Sequence, residues 1–189
     1  RFGFCFSVVY EVAMSHLGIK ILYHTLNQRL DTYCERVFAP WDDMEKLMRE
    51  KNQKLFALET GDEVTDFDFL GFTLQYELSY SNVVNMIDLA GIPIYSKDRE
   101  YGMPFIVAGG PCAYNGEPIA DFIDIFSIGE GEEMLDELMD TYKQWKKSGS
   151  KSRKEFLEMA AEIEGIYVPS FYDVEYNDDG TIKAFIPNN

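Results

Sequence analysis

Two apolar runs that each stop at glycines constrain this chain most. Phe105-Ile106-Val107-Ala108 runs into Gly109-Gly110, and Ile123-Asp124-Ile125-Phe126-Ser127-Ile128 runs into Gly129-Glu130-Gly131. Short apolar runs bounded by turn residues read as buried strands. Glycine at the carboxyl end of such a strand lets the backbone turn with positive φ and lets a ligand come close. In open α/β sheets, ligands lie along that edge. Phe105–Glu133 therefore predicts two neighbouring strand ends facing one crevice.

The rest of the chain supplies more units of the same kind. Phe2–Phe6, Cys34–Phe38 and Phe69–Leu74 read as three further strands. Residues Ser7–Met14 read as an irregular loop, and Ser15 as the cap of a helix to about Arg29 with Ile19, Leu22, Tyr23 and Leu26 on its buried stripe. Asp42 is expected to cap a helix over Asp43–Lys51 that turns Met44, Leu47 and Met48 inward. Leu55–Leu58 suits a short extended piece, and a helix from Asn82 ends before Gly91. The helix after Gly131 carries Met134, Leu135, Leu138, Met139 and Tyr142 inward, with Glu132 and Glu133 at its start and Lys146 and Lys147 at its end, as the macrodipole favours.

Five βα units in succession predict an α/β domain with a doubly wound parallel sheet of five strands. Right-handed crossovers favour strand order 2-1-3-4-5, with the crevice between strands one and three. That domain spans residues 1–147. Residues 148–189 add a C-terminal helix, about Arg153–Ile163, and a β-hairpin of Tyr167–Tyr176 and Thr181–Ile186 around Asn177-Asp178-Asp179-Gly180. The chain opens already inside a strand-like run, which suggests a fragment of a longer protein.

Composition narrows the partners. The net charge of −16 over 189 residues argues against nucleic acid and anionic membranes, which need a basic footprint. No apolar run reaches the length of a membrane span. Cys5, Cys34 and Cys112 form no CxxC pair, so zinc and iron–sulfur ligation lack their usual spacing, and a reducing, cytoplasmic setting is expected.

Chemistry-bearing residues are few. No phosphate-binding GxxxxGK[ST] is present, no GxGxxG follows the first strand, and the carboxylates around Gly129-Glu130-Gly131 would repel a polyphosphate. His24 reads as an ordinary helix residue, and His16 as a capping residue beside the crevice and a weak metal candidate. Cys112 has no basic neighbour to make it a thiolate. Glu117 reads as the cap of a short helix, and Asp124 as a residue that points outward or ends a turn. Tyr76, Tyr80 and Tyr114 could present flat faces to a planar ligand. The residues suit a binding module better than a self-contained enzyme.

Ser15-His16-Leu17-Gly18, then Gly109-Gly110-Pro111, then Ile128-Gly129-Glu130-Gly131-Glu132-Glu133 resembles the amino-terminal cobalamin-binding-type domain of radical S-adenosylmethionine (radical SAM) proteins. The likeness covers about residues 2 to 147 and is to a bacterial subfamily. It implies a flavodoxin-like, Rossmann-like domain that binds, or descends from one that bound, cobalamin. By position the corrin and its tail would rest on Met14, Ser15 and Gly18; on Thr73, Leu74 and Gln75; on Gly109 and Gly110; and on Gly129, Glu130 and Gly131. The resemblance implies a downstream radical SAM core as intramolecular partner, with the iron–sulfur cluster and S-adenosylmethionine held there and not in this chain. The cobalamin signature DxHxxG is missing: Met14 stands where its aspartate would be, and His16 is two residues before Gly18 instead of three. The alternative is a degenerate Rossmann-like structural domain that binds no cobalamin.

Overall fold

The computed structural model describes residues 1–188. Five parallel strands, β1 (Phe2–Phe6), β2 (Cys34–Phe38), β3 (Phe69–Thr73), β4 (Phe105–Gly109) and β5 (Ile125–Ser127), lie in the order β2-β1-β3-β4-β5. A sixth, β6 (Ile166–Tyr167), pairs antiparallel with β5. The sequence reading put Tyr167 in the hairpin. Instead, Tyr167 and Ile166 cover the outer edge of β5, whose backbone groups would otherwise be unpaired, and Pro169 ends the ladder two residues later. The hairpin that follows is shorter, β7 (Tyr172–Tyr176) and β8 (Ile182–Pro187), turned by Gly180 at φ +82°.

The period-two alternation of the strands divides the core into two layers. Phe2, Phe4, Phe6, Phe69, Phe105, Val107 and Ile125 face helices α2 (Leu17–Gln28), α5 (Gly131–Ser148) and α6 (Arg153–Ala161). Cys5, Val37, Leu70, Phe72, Ile106, Ala108 and Phe126 face the other side, with Met48 of α3 (Asp42–Lys51) and Val83, Met86 and Ile87 of α4 (Tyr80–Leu89). Gly71 belongs to the first layer, and a Cβ there would stand 2.5 Å from Cζ of Phe2. Phe156 of α6 is fully buried against Phe105, ring centroids 4.5 Å apart, so the segment after residue 147 packs into the same core.

Several local expectations are corrected. Residues 7–14 contain a short helix, α1 (Tyr10–Ala13), because Tyr10 packs edge-on against Phe38 and Ala13 is buried. Ser15 does not cap α2. Its hydroxyl donates back to the Val12 carbonyl at 2.9 Å, and His16 takes the extended cap position. Trp41 holds that position for α3, which leaves Asp42 and Asp43 in the first turn, where the macrodipole favours them. Met44 and Leu47 are exposed, because α3 buries only Met48 and bridges to α4 through Arg49, Asn85 and Asp88. After β4 the chain makes two 3-10 turns, Pro111–Asn115 and Glu117–Phe122. Gly116 caps the second turn in place of Glu117.

Asp124 is the largest correction. It does not point outward: its side chain is 3% exposed and pairs with Arg99, whose own side chain is 0% exposed. One carboxylate oxygen accepts from Arg99 at 2.8 Å and from the Ile106 amide at 2.7 Å, with Arg153 at 3.2 Å. Burial pulls the Arg99 guanidinium below its ordinary pKa, and neighbouring Arg153 adds to this. Two hydrogen-bond donors and a second guanidinium around one oxygen explain how a carboxylate survives beside the sheet.

Candidate functional site

The carboxyl ends of β1, β3, β4 and β5 and the first turns of α2 and α5 enclose a cavity of about 190 Å³. Its floor is apolar: Phe2, Phe4, Ile19, Leu22, Val107 and Leu135. Its rim is polar, with His16, Thr73, Gln75, Ser127 and Glu132 set among glycines. The period of two puts Phe4, Val107 and Thr73 on this face and sends Leu74 into the opposite core, where it is fully buried.

Two glycines open the rim. Gly110 has φ +98° and ψ −176°, a conformation almost confined to glycine. That turn lets Leu74 donate to the Gly109 carbonyl at 2.7 Å and receive the Cys112 amide at 3.0 Å. Gly129 has φ +118°, and a Cβ there would meet nothing within 4 Å, so the backbone faces open space.

A polar chain crosses the mouth. Nε2 of Gln75 donates to Oγ1 of Thr73 at 2.5 Å, and Oε1 of Gln75 faces Nε2 of His16 at 3.2 Å. With the amide in this orientation His16 carries its proton on Nε2. Nδ1 is buried and without a partner among the described residues. The imidazole folds back over Gly18, whose missing side chain leaves room for it: a Cβ would stand 3.3 Å from Cε1 of His16.

Of the residues singled out in the sequence, Gly18, Thr73, Gln75, Gly109, Gly110, Gly129 and Gly131 line the cavity. Met14, Ser15, Leu74 and Glu130 do not. Met14 takes a hydrogen bond from Arg36 through its sulfur at 3.4 Å, and Glu130 is the exposed cap of α5. Tyr76 and Tyr114 are exposed on loops at the same edge, and Tyr80 is buried with its hydroxyl donating to the Asn115 carbonyl at 2.8 Å. Burial, with Glu77 nearby, pushes the Cys112 thiol up, away from a reactive thiolate. The floor residues and Glu132 were missed; strand parity and the Ile19–Leu22 stripe carried that signal.

The cavity is smaller than the 300–1,000 Å³ usual for drug-sized ligands. A corrin macrocycle is larger than such ligands and does not fit inside. Among the described residues His16 has no carboxylate partner to orient it as a ligand: its Nε2 is held by a neutral amide. Among the described residues, no three His, Cys, Asp or Glu side chains are grouped to hold a metal ion, and no helix is long and apolar enough to cross a membrane.

The family described as "Radical SAM proteins, N-terminal" matches residues 18–169. The chain belongs to this family. The match begins in the first turn of α2 and ends just past β6, so it includes most of the cavity wall and all of α6. The radical SAM N-terminal domain is also 39% identical over 87 residues to an uncharacterised protein of Methanocaldococcus jannaschii, a likeness covering 44% of this chain and 18% of that protein. The domain thus aligns with under a fifth of that relative's length. No solved structure matches it.

Proposed function

We propose that this domain serves a radical SAM core carried elsewhere in the full-length protein, by holding one compact group of a ligand or substrate in its carboxyl-edge cavity. The core would supply the iron–sulfur cluster and S-adenosylmethionine; the domain does no chemistry of its own. The supporting observation is the cavity itself, with an apolar floor and a few convergent polar groups, built within the family's region. Glu132 on the rim and the lack of any Lys or Arg in the lining favour a neutral or cationic head group over a phosphate.

The cavity volume favours the reading without a bound corrin. A corrin would have to lie outside, across the rim, with only a flat appendage inserted. Hydroxocobalamin mixed with the folded domain at micromolar concentration is expected to keep its free visible spectrum; a saturable spectral change would restore cobalamin. Benzimidazole, a flat probe of suitable size, is expected at millimolar concentration to shift the amide resonances of Gly109, Gly110, Gly129 and Gly131. Leu22→Trp, at a half-buried position on the wall, should fill the space and remove those shifts. Unmoved glycine amides in the unaltered chain would sink the binding proposal.

The exposed residues Tyr10, Leu17, Trp41, Tyr76, Leu78 and Tyr114 all lie on segments following β1 to β4, at this same edge. We take that edge as the surface that meets the radical SAM core, since apolar side chains gathered on one face mark an interaction surface.

A further inference from the structure

A second cavity, of about 570 Å³, lies on the opposite face of the sheet, between the turn Glu117–Phe122 and the root of the β7–β8 hairpin. Its volume falls in the ordinary range for a small-molecule site. Tyr95, Tyr167, Tyr172 and Tyr176 supply its aromatic walls. Glu117, Asp121 and Asp173 bring three carboxylates to it against one ammonium, Lys97. An anion is therefore disfavoured there.

Two buried polar atoms beside it have no partner among the described residues, Oε2 of Glu117 and the hydroxyl of Tyr167. The other oxygen of Glu117 is occupied, accepting from the Tyr176 hydroxyl at 2.8 Å. A buried carboxylate oxygen left without a donor carries its desolvation cost uncompensated. Burial, with Glu117 nearby, pushes the Tyr167 hydroxyl up to about 12, so it stays a neutral donor or acceptor. The chain already sets one ammonium on these walls: Nζ of Lys97 lies 5.3 Å from the centre of the Tyr95 ring.

We propose that this cavity binds a small organic ammonium. A rotation of the Glu117 carboxylate, whose free Oε2 is turned away from the cavity, lets it accept an N–H of the ligand, and the carbon body lies against Tyr167, Tyr172 and Tyr176. Carboxylate and aromatic faces both favour a cation, through a charge-assisted hydrogen bond and through the ring quadrupole. The site is independent of the carboxyl-edge cavity and shares no lining residue with it.

The test is a nuclear magnetic resonance titration of the whole chain with propylammonium chloride, with propanol as the uncharged comparison. Propylammonium should shift the amides of residues 117–121 and 172–176 saturably, and propanol should not. Glu117→Gln should weaken binding about tenfold, the loss of one charge-assisted hydrogen bond. Tyr172→Ala, at a partly exposed wall position, should weaken it severalfold and serves if Glu117→Gln does not fold. Tetramethylammonium, which has no N–H, should bind more weakly than propylammonium. Equal responses to propylammonium and propanol, or unchanged affinity in both variants, would overturn the proposal.

Discussion

Asp124 shows how much one side chain can decide. It sits just before β5, in an apolar run, where a lone carboxylate would not be stable. Its oxygen collects Arg99, Arg153 and the Ile106 amide, which ties the start of β5 to β4 and to the first residue of α6. Replacing it leaves two guanidinium groups facing each other with no counter-charge. Asp124→Asn is expected to cost about 3–5 kcal/mol, as for a buried pair that loses one partner. Urea unfolding measures this, and a loss under 1 kcal/mol would mean that the triad is not the joint described here. The sequence shows an acid within a strand-like run and two arginines, 25 and 29 residues away. Nothing local pairs them, because the pairing depends on where α6 docks.

At the scale of elements, β6 and α6 matter most. Both follow the five βα units, and both complete them. Phe156 seals Phe105 and Trp145, and Tyr167 stacks beside Phe126 at the sheet's outer edge. The Tyr167 hydroxyl makes no hydrogen bond among the described residues, so Tyr167→Phe should leave stability at pH 7 unchanged within about 0.5 kcal/mol. Its effect belongs to alkaline pH. The hydroxyl titrates near 10 in the unfolded chain and near 12 in the fold. A raised value favours the protonated form in the folded state. The added stability is complete below pH 10 and is lost as pH rises toward 12. Stability measured at pH 8 and pH 11 should therefore fall less in Tyr167→Phe than in the unaltered chain. An equal fall in the two would show that Tyr167 titrates normally. Helix α5 was legible in its span and its charged ends, because its stripe and its dipole pairing are both local, although Trp145, buried at its far end, was not on the expected stripe. The cap of α2 was not: Ser15 turns its hydroxyl back to the Val12 carbonyl of the preceding turn, and His16 takes the cap position.

The whole molecule is strongly acidic, yet its basic residues are placed to join elements. Arg29 reaches from the end of α2 to Asp136 and Asp140 on α5, and Arg49 from α3 to Asp88 on α4. The carboxyl edge carries one set of the exposed apolar side chains, Leu17, Trp41, Tyr76, Leu78 and Tyr114, and the β7–β8 hairpin another, Tyr176, Ile182, Phe185 and Ile186. If the carboxyl edge meets a radical SAM core, a charge placed there should weaken the contact. Leu78 is 87% exposed, so Leu78→Glu should leave the domain's own stability within about 0.5 kcal/mol. It is expected to lower the affinity of this domain for a separately produced core region, read by calorimetry. Unchanged affinity would move the interface elsewhere on the surface.

The sequence by itself determined the order of the five parallel strands, the covering of both sheet faces and the row of glycines along one sheet edge, but not the antiparallel sixth strand. Periodicity and the backbone freedom of glycine act over a few residues, and the right-handed crossover over one βαβ unit. The two apolar runs between Phe105 and Ile128 do end side by side at one crevice, Gly109 opposite Ser127. Only the tertiary structure decided how large that crevice is. Phe2 and Phe4, Leu22, and Leu135 come from three distant segments, and their rings and methyls set the floor of the cavity. Cavity volume is a sum over side chains that meet only after folding, so no window of the sequence contains it.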